Sequence, residues 1–188
     1  MLNSKQRSEV GWCRLRSILY VLILAAFFYW MLPATLLTIT GYTGMVRWLH
    51  IRNPLTLVLL LLFPLSLGVW ATFQFTDIGF GTPLPLDPPR CMVTSGPYAY
   101  VRNPMQITGM SIGILRVLYQ PTPAMVVYAF GLLLLTVCVF RPYEHRQMRR
   151  LFGAEYERYR RSVRNWIPKL TPYRIDKPNV DLIAGDEA

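Results

Sequence analysis

The sequence predicts an all-α integral membrane protein, a single domain with about four transmembrane helices and a C-terminal amphipathic helix. Three observations support this fold class. The 188 residues are 53% hydrophobic and only 16% charged, and the mean hydropathy is +0.29. Several apolar runs approach the length that crosses a bilayer, whereas a soluble domain of this size needs one buried core. The basic residues are concentrated in polar segments beside those runs.

The net charge of +10 is assigned to membrane topology and to contact with anionic lipids, because the Lys and Arg residues flank apolar runs. The same pattern argues against nucleic-acid binding. Cys13, Cys91 and Cys138 are widely spaced and odd in number, which predicts neither a disulfide framework nor a zinc site. His50 and His145 are too few for a histidine-rich metal centre.

The first two predicted spans follow a basic segment, residues 1–16. Residues 17–38 are almost entirely apolar and contain one proline, Pro33. This run is too long for the apolar part of a signal peptide and no small-residue cleavage site follows it, so we expect an uncleaved span. A loop over residues 40–53 carries Arg47, His50 and Arg52. The second span is predicted over residues 54–75, with a kink at Pro64.

Residues 76–103 are predicted to be a polar, extended connection, because the prolines at 83, 85, 88 and 89 disfavour a helix. The dipeptide Asn103-Pro104 predicts a helix start, with asparagine as the N-cap and proline at the first helical position. A third, short span with many small residues extends to residue 119. A tight turn separates it from the fourth span, residues 124–140. Arg116, near this turn, is expected to extend toward the membrane interface rather than into a buried cavity.

The chain becomes strongly basic from Arg141 onward. The helical period continues to about Val163 with an interruption at Gly153, which predicts an amphipathic helix on an anionic leaflet. Trp166 is interpreted as an interfacial anchor. Four spans place both termini on one side of the membrane, and the basic ends predict that this side is cytoplasmic. The 76–103 and 141–170 segments would then share one face and could form one site.

Several sequence blocks carry a resemblance to a known family. The run SGPYAYVRNPM, the apolar hairpin after it, Glu144-His145 and then LFGAEYERYRRSVRNWIP resemble the isoprenylcysteine carboxyl methyltransferase and phospholipid methyltransferase family. The resemblance implies one methyltransferase domain over residues 1–188, with N-terminal spans in residues 1–75. Residues 76–170 would form the cofactor loop, the hairpin and the C-terminal site segment. It also implies S-adenosylmethionine as the cofactor.

The resemblance implies cofactor contacts before the Gly-Pro-Tyr turn, at its tyrosine, after the loop arginine and on the last helix. These residues are Arg90, Cys91, Met92, Val93, Tyr98, Asn103, Pro104, Met105, Gln106 and Glu144. The candidate catalytic residues are Arg102, Arg141, Glu144 and His145. Glu144 suits the ammonium or ribose hydroxyls of the cofactor, and either arginine could orient a carboxylate acceptor. His145 could serve as the base for an amine or thiol acceptor.

The predicted acceptor is a lipid-like or small apolar molecule that enters from the bilayer, and a carboxylate of the isoprenylcysteine type is one candidate. Two departures from the family pattern leave the acceptor open: Glu144-His145 replaces two adjacent acids, and Gln106 replaces a tyrosine. Two alternatives stay open as well. One is a sterol-type membrane reductase that uses NADPH, and the other is a non-catalytic membrane scaffold.

Overall fold

The part of the chain that the structure describes is mainly helical and contains no strand. The computed structural model describes residues 4–40, 51, 53–82 and 88–174, with side chains from residue 10 onward. The predicted loop with Arg47, His50 and Arg52 lies outside the described residues, as do two of the connection prolines, Pro83 and Pro85. The end of the chain beyond residue 174 also lies outside them.

Six α-helices and three shorter helical stretches follow one another in the described residues. The α-helices are α1 (Ser4–Ala25), α2 (Leu32–Thr40), α3 (Pro54–Gly79), α4 (Pro104–Tyr119), α5 (Pro123–Leu135) and α6 (Arg141–Ser162). A π-helical stretch, Ala26–Met31, joins α1 to α2, and another, Thr136–Phe140, joins α5 to α6. A single 3₁₀ turn, Gly96–Ala99, lies in the connection before α4.

The all-α, polytopic membrane fold class is confirmed. Three helices in the described residues are long and apolar enough to cross a membrane: Val10–Thr40, Pro54–Gly79 and Pro123–Ser162. The third predicted span, α4, has 16 residues and a length of ~24 Å, short of a hydrocarbon core of ~30 Å. It packs against α3 and α5 as the first half of the predicted hairpin.

Both π-helical stretches end two residues before a proline, Pro33 in the first case and Pro142 in the second. A proline inside an α-helix clashes with the carbonyl group four residues earlier. The wider π turn relieves this clash without ending the helix. The predicted helix after residue 140 is α6, and it continues α5 as one helix, Pro123–Ser162. The predicted interruption at Gly153 is confirmed by a non-helical φ of 46° and ψ of −118°.

The first helix is tied to the hairpin by two tyrosine hydroxyls. Pro33 has no N–H, so the Phe28 carbonyl, its partner in a π turn, is left free. The Tyr128 hydroxyl donates to this carbonyl. The Tyr29 hydroxyl donates to the Gly109 carbonyl over 2.9 Å. Satisfying such carbonyls from a neighbouring helix is what permits proline within a membrane helix.

The contact between α3 and α4 depends on a small residue. A Cβ atom at Gly68 would lie 2.8 Å from the Thr108 methyl carbon, so only glycine permits the observed approach. The Thr108 hydroxyl donates to the Pro64 carbonyl over 3.1 Å. This contact fixes α4 along the membrane-embedded part of α3.

The end of α3 differs from the prediction. The helix continues past residue 75 to Gly79, and Phe80 follows with a positive φ of 53°. The first proline of the 76–103 connection is at residue 83. The residues before it are free of proline, so the helix can continue into them. The extension brings Asp77 opposite Arg14 of α1, whose guanidinium donates to both carboxylate oxygens over 2.8 and 2.7 Å. This pair marks the end of the bundle at which the connection lies.

We predict that Gly68→Ala lowers the free energy of unfolding by about 1–3 kcal/mol, because the new methyl group overpacks the α3–α4 contact. Gly131→Ala is the matched control, since a Cβ there meets nothing within 4 Å. The control is expected to be neutral or to stabilise the protein by up to about 1 kcal/mol through helix propensity. Unfolding in detergent by heat and by denaturant measures both. Equal stabilities for the two variants would contradict the close contact.

Candidate active site

The connection before α4 is anchored by the buried side chain of Tyr98. Its ring packs with Ala71 and Val93, and its centroid lies 6.2 Å from that of Phe75. Burial raises the pKa of Tyr98 well above its ordinary value. The buried hydroxyl of Tyr159, on α6, donates to the Tyr98 carbonyl over 2.7 Å. The 3₁₀ turn is therefore held from both α3 and α6.

The segment after α6 runs alongside this connection and bonds to its backbone. Four backbone N–H groups donate across the pair over 2.8 to 3.1 Å: Arg102 to Arg164, Asn103 to Asn165, Lys169 to Tyr100 and Tyr173 to Ala99. Residues 99–103 and 164–173 are separated by more than 60 positions in sequence. These bonds bring the start of α4 and the C-terminal segment into one layer, which we call the site layer.

Glu144 lies at the centre of the candidate site. Its Oε2 atom accepts hydrogen bonds from Asn103 Nδ2 over 2.9 Å and from Gln106 Nε2 over 2.7 Å. Asn103 does occupy the N-cap position, as predicted, but its side chain makes no capping bond and bonds to Glu144 instead. The half-buried Glu144 side chain has no Lys or Arg within ion-pair distance among residues 10–40, 53–82 and 88–174. Its described hydrogen-bond donors are the two neutral amides, and the charge of Arg102 acts on it from beyond ion-pair distance.

Arg102 is joined to the C-terminal segment. Its Nε and Nη2 atoms donate to the Asn165 Oδ1 atom over 3.3 and 3.2 Å, and Nη1 donates to the Arg160 carbonyl over 3.3 Å. Asn103 Nδ2 also donates to Asn165 Oδ1, over 3.2 Å. Burial lowers the pKa of the Arg102 guanidinium, which stays charged because its ordinary value is far above neutrality. The structure thus gives Arg102 a positioning role; its predicted hold on an acceptor anion stays a prediction.

Trp166 belongs to the site layer. Its indole N–H donates to Gln106 Oε1 over 2.8 Å, and the guanidinium carbon of Arg141 lies 5.3 Å from its ring centroid. The sequence-based interpretation of Trp166 as an interfacial anchor missed this contact. Arg141 is exposed and stands at the edge of the site, where its cation–π contact leaves guanidinium donors available.

His145 lies beside the Glu144 network. Its Nδ1 atom is 3.2 Å from the Tyr156 hydroxyl, and the two rings are 5.6 Å apart. Tyr156 is buried with Tyr159 and Val163 on the inner face of α6. The predicted base is therefore held by a tyrosine on its own helix.

The structure places the other predicted cofactor residues around the turn rather than at Glu144. Cys91 is exposed, Pro104 is buried, and Met105 packs against the Tyr98 cluster. Met92 packs against the Tyr156 and Tyr159 rings. Arg90 is exposed and lines a separate cavity of about 150 Å³ with residues of α1. Their predicted contacts with a cofactor stay predictions.

Asn165 and Tyr159 are site residues that the sequence did not indicate. The Nδ2 atom of Asn165 is buried and has no hydrogen-bond partner in the described part of the chain. Both residues contact positions more than 60 residues earlier, and no local spacing encodes such a pairing. The only sequence signal was the density of polar and aromatic residues after Gly153.

Comparison with protein families gives one match. The phospholipid methyltransferase family model matches residues 56–155, which is more than half of the chain. The protein belongs to the phospholipid methyltransferase family. This match confirms the resemblance to the isoprenylcysteine and phospholipid methyltransferase group of membrane enzymes. No curated protein and no solved structure matched the chain.

The family assignment supports a membrane methyltransferase in general. The matched residues extend from α3 through the connection, the hairpin and the first part of α6. They contain Asn103, Gln106 and Glu144. Asn165 and Trp166 follow the matched region, so the other half of the site layer comes from this chain's own C-terminal segment.

We predict that Asn165→Ala loosens the C-terminal segment, because the Arg102 donors lose their acceptor at a cost of about 1–3 kcal/mol. Trypsin cleavage after Arg164 should then become about tenfold faster, because the segment detaches more often. In the wild type the carbonyls of residues 164 and 165, on either side of the cleaved bond, accept from the N–H groups of Arg102 and Asn103. Peptide mass analysis of the digest measures this rate. Thr171→Ala, an exposed change in the same segment, should cleave at the wild-type rate. Equal rates for both variants would contradict the positioning role.

Proposed function

We propose that this protein is an S-adenosylmethionine-dependent methyltransferase that acts on an amphiphilic acceptor from the bilayer. The cofactor would lie between residues 90–106 and α6. The observation that carries this proposal is the Glu144 carboxylate, which is half-buried and accepts from two amides, with no described Lys or Arg at ion-pair distance.

The donor set fits this cofactor. A half-buried carboxylate is stabilised by a charged partner, and the cofactor carries an ammonium group of the required sign. The buried Asn165 Nδ2 donor has no partner among the described residues and could bond to an oxygen of the ligand. The first turn of α4 carries no side-chain cap, so the N–H groups of Met105 and Gln106 suit a carboxylate or an adenine edge.

The run Arg90, Cys91, Met92 and Val93 would contribute mainly backbone groups. Two of these side chains, Met92 and Val93, pack into apolar clusters, and Arg90 lines the cavity beside α1. Tyr98, whose ring is buried, would hold the turn in place rather than contact the reacting atoms. Pro104 would fix the direction of the α4 start in the same way.

The cofactor, when bound, supplies a methyl group activated by a sulfonium. An acceptor that is already ionised needs little acid–base assistance, so positioning and exclusion of water account for most of the rate. Arg141 would orient an anionic acceptor, because it is exposed at the site edge and its one described contact is the Trp166 ring. His145 would act as the base for an amine or thiol acceptor.

An acceptor from the bilayer is supported by the position of the site. Glu144 lies one helical turn beyond Phe140, where the apolar run of the α5–α6 helix ends. The reacting groups would thus lie at the boundary between hydrocarbon and headgroups. A lipid-like molecule could present its polar end to Arg141 while its apolar part stays in the membrane.

We infer that the site faces the cytoplasm. Arg14 of the basic N-terminal segment pairs with Asp77 at the end of the bundle that carries the site layer. The arginine-rich helix α6 begins at the same end. Basic residues near the ends of spans favour the cytoplasmic side.

We predict that Glu144→Gln weakens S-adenosylmethionine binding by at least about tenfold, because a charged hydrogen bond to the ammonium is lost. Isothermal calorimetry on the detergent-purified protein measures the Kd. S-adenosylhomocysteine carries the same ammonium group, so its binding to the variant should weaken to the same extent.

Glu155→Gln is the matched control, since Glu155 is exposed on the same helix and loses the same charge. Unchanged affinity in Glu144→Gln would reject the assigned role of Glu144. A folded wild-type protein that binds NADPH but not S-adenosylmethionine would favour the reductase, and binding of neither would favour the scaffold.

We predict that Arg141→Gln raises KM for a carboxylate-bearing prenylated acceptor in detergent micelles about tenfold, because the guanidinium no longer orients the anion. The Kd for S-adenosylmethionine should not change. Transfer of a radiolabelled methyl group measures KM, and Arg150→Gln on the exposed face of α6 serves as the control. Full activity on a water-soluble acceptor without any detergent or lipid phase would contradict entry from the bilayer.

A further inference from the structure

The end of the bundle opposite the site layer carries positive charge without acidic partners. No Asp or Glu occurs anywhere in residues 10–76 or 88–143, the segments that contain both membrane hairpins. Arg116 lies in the last turn of α4, next to the turn that joins α4 to α5. The ion pairs and acidic side chains that the structure describes belong to the other end of the bundle, with Asp77, Glu144 and Glu157.

The Arg116 side chain is partly buried within the protein. Its Nη1 atom is buried in the protein and has no hydrogen-bond acceptor within the described ranges. A buried guanidinium nitrogen without a partner is costly. An anion bound to the Arg116 guanidinium would remove this cost. The neighbouring sequence contains no acidic residue that could provide it.

An apolar groove begins at Pro123, on the other side of the turn that follows the Arg116 helix. It has a volume of about 650 Å³, within the size range of ligand pockets in proteins. Helices α1–α2 and α5 line it with apolar side chains, among them Phe28, Leu32, Leu36, Val127, Leu132 and Leu135. From Pro123 to Leu135 it follows ~18 Å of α5, which matches the ~15 Å hydrocarbon depth of one leaflet.

Tyr128 connects the groove to the arginine. Its ring lines the groove, and its hydroxyl group is close enough to the Arg116 guanidinium for electrostatic interaction. At the turn end the groove is bordered by Thr40 and Pro123. A cation that interacts with a residue of the groove wall, together with an apolar channel, matches the two parts of a phospholipid.

We propose that Arg116 and this groove bind one phospholipid of the leaflet opposite the active site. The phosphate accepts from the Arg116 guanidinium and one acyl chain lies in the groove. Phosphate is the expected anion because a guanidinium binds it through parallel hydrogen bonds, and because phospholipid headgroups are the anions present at this depth. The site is separate from the proposed reaction and does not depend on it.

Native mass spectrometry of the protein in mild detergent with added dioleoylphosphatidylglycerol tests the proposal. The wild type should retain one lipid, and Arg116→Gln should bind it at least about tenfold more weakly. Gly131→Leu should also weaken binding, because a side chain there fills the groove and its Cβ meets no neighbouring atom within 4 Å. Arg150→Gln, which removes an exposed arginine of α6, should bind as the wild type does.

Two further measurements separate the lipid from other ligands. Dioleoylglycerol, which lacks the phosphate, should not be retained, and inorganic phosphate should not displace the bound phospholipid. Equal retention in the wild type and Arg116→Gln would overturn the proposal, as would displacement by inorganic phosphate or equal binding of dioleoylglycerol. Unfolding midpoints verify that each variant is folded, and calorimetry with S-adenosylmethionine reports separately on the active site.

Discussion

Backbone N–H and C=O groups that are shielded from water must form hydrogen bonds within the protein. This requirement explains both the helix interruptions and the pairing of the irregular segments. Pro33 and Pro142 each remove an N–H from a long helix, and a π-helical stretch before each proline allows the helix to continue. The carbonyl freed by Pro33 accepts from Tyr128 on the hairpin. A local defect in one helix thus becomes a contact between two helices.

The same requirement explains the site layer. The connection before α4 is irregular, so its backbone groups cannot bond within a helix. The segment after α6 supplies partners for residues 99–103, and this pairing carries Asn165 and Trp166 to the start of α4. Because Asn103 is drawn into this network, its side chain supports Glu144 instead of capping the helix. The same pairing therefore forms the backbone hydrogen bonds of the connection and brings the residues of the candidate site together.

The charge distribution divides the bundle into two functional ends. The described acidic side chains gather at the site end, where Glu144 accepts only from neutral amides and therefore suits a cation. At the opposite end Arg116 has no acid in its sequence neighbourhood and suits an anion. This asymmetry suits the cofactor proposed at one membrane surface and the phospholipid proposed at the other. The apolar faces between the two ends remain free to meet lipid chains.

The sequence by itself determined the helices and the family. Apolar runs and helix-start residues such as Asn53 and Asn103 act over a few positions, so they predict spans and their approximate ends. The blocks around Asn103, Gln106 and Glu144 occur in order along the chain and predict those site residues. The tertiary structure decided which groups meet. The pairing of Asn165 with Arg102, the place of Trp166 and the continuation of α5 into α6 depend on paths through irregular segments and on relief of a proline clash. No local pattern encodes such contacts, because their energy appears only when distant segments are brought together.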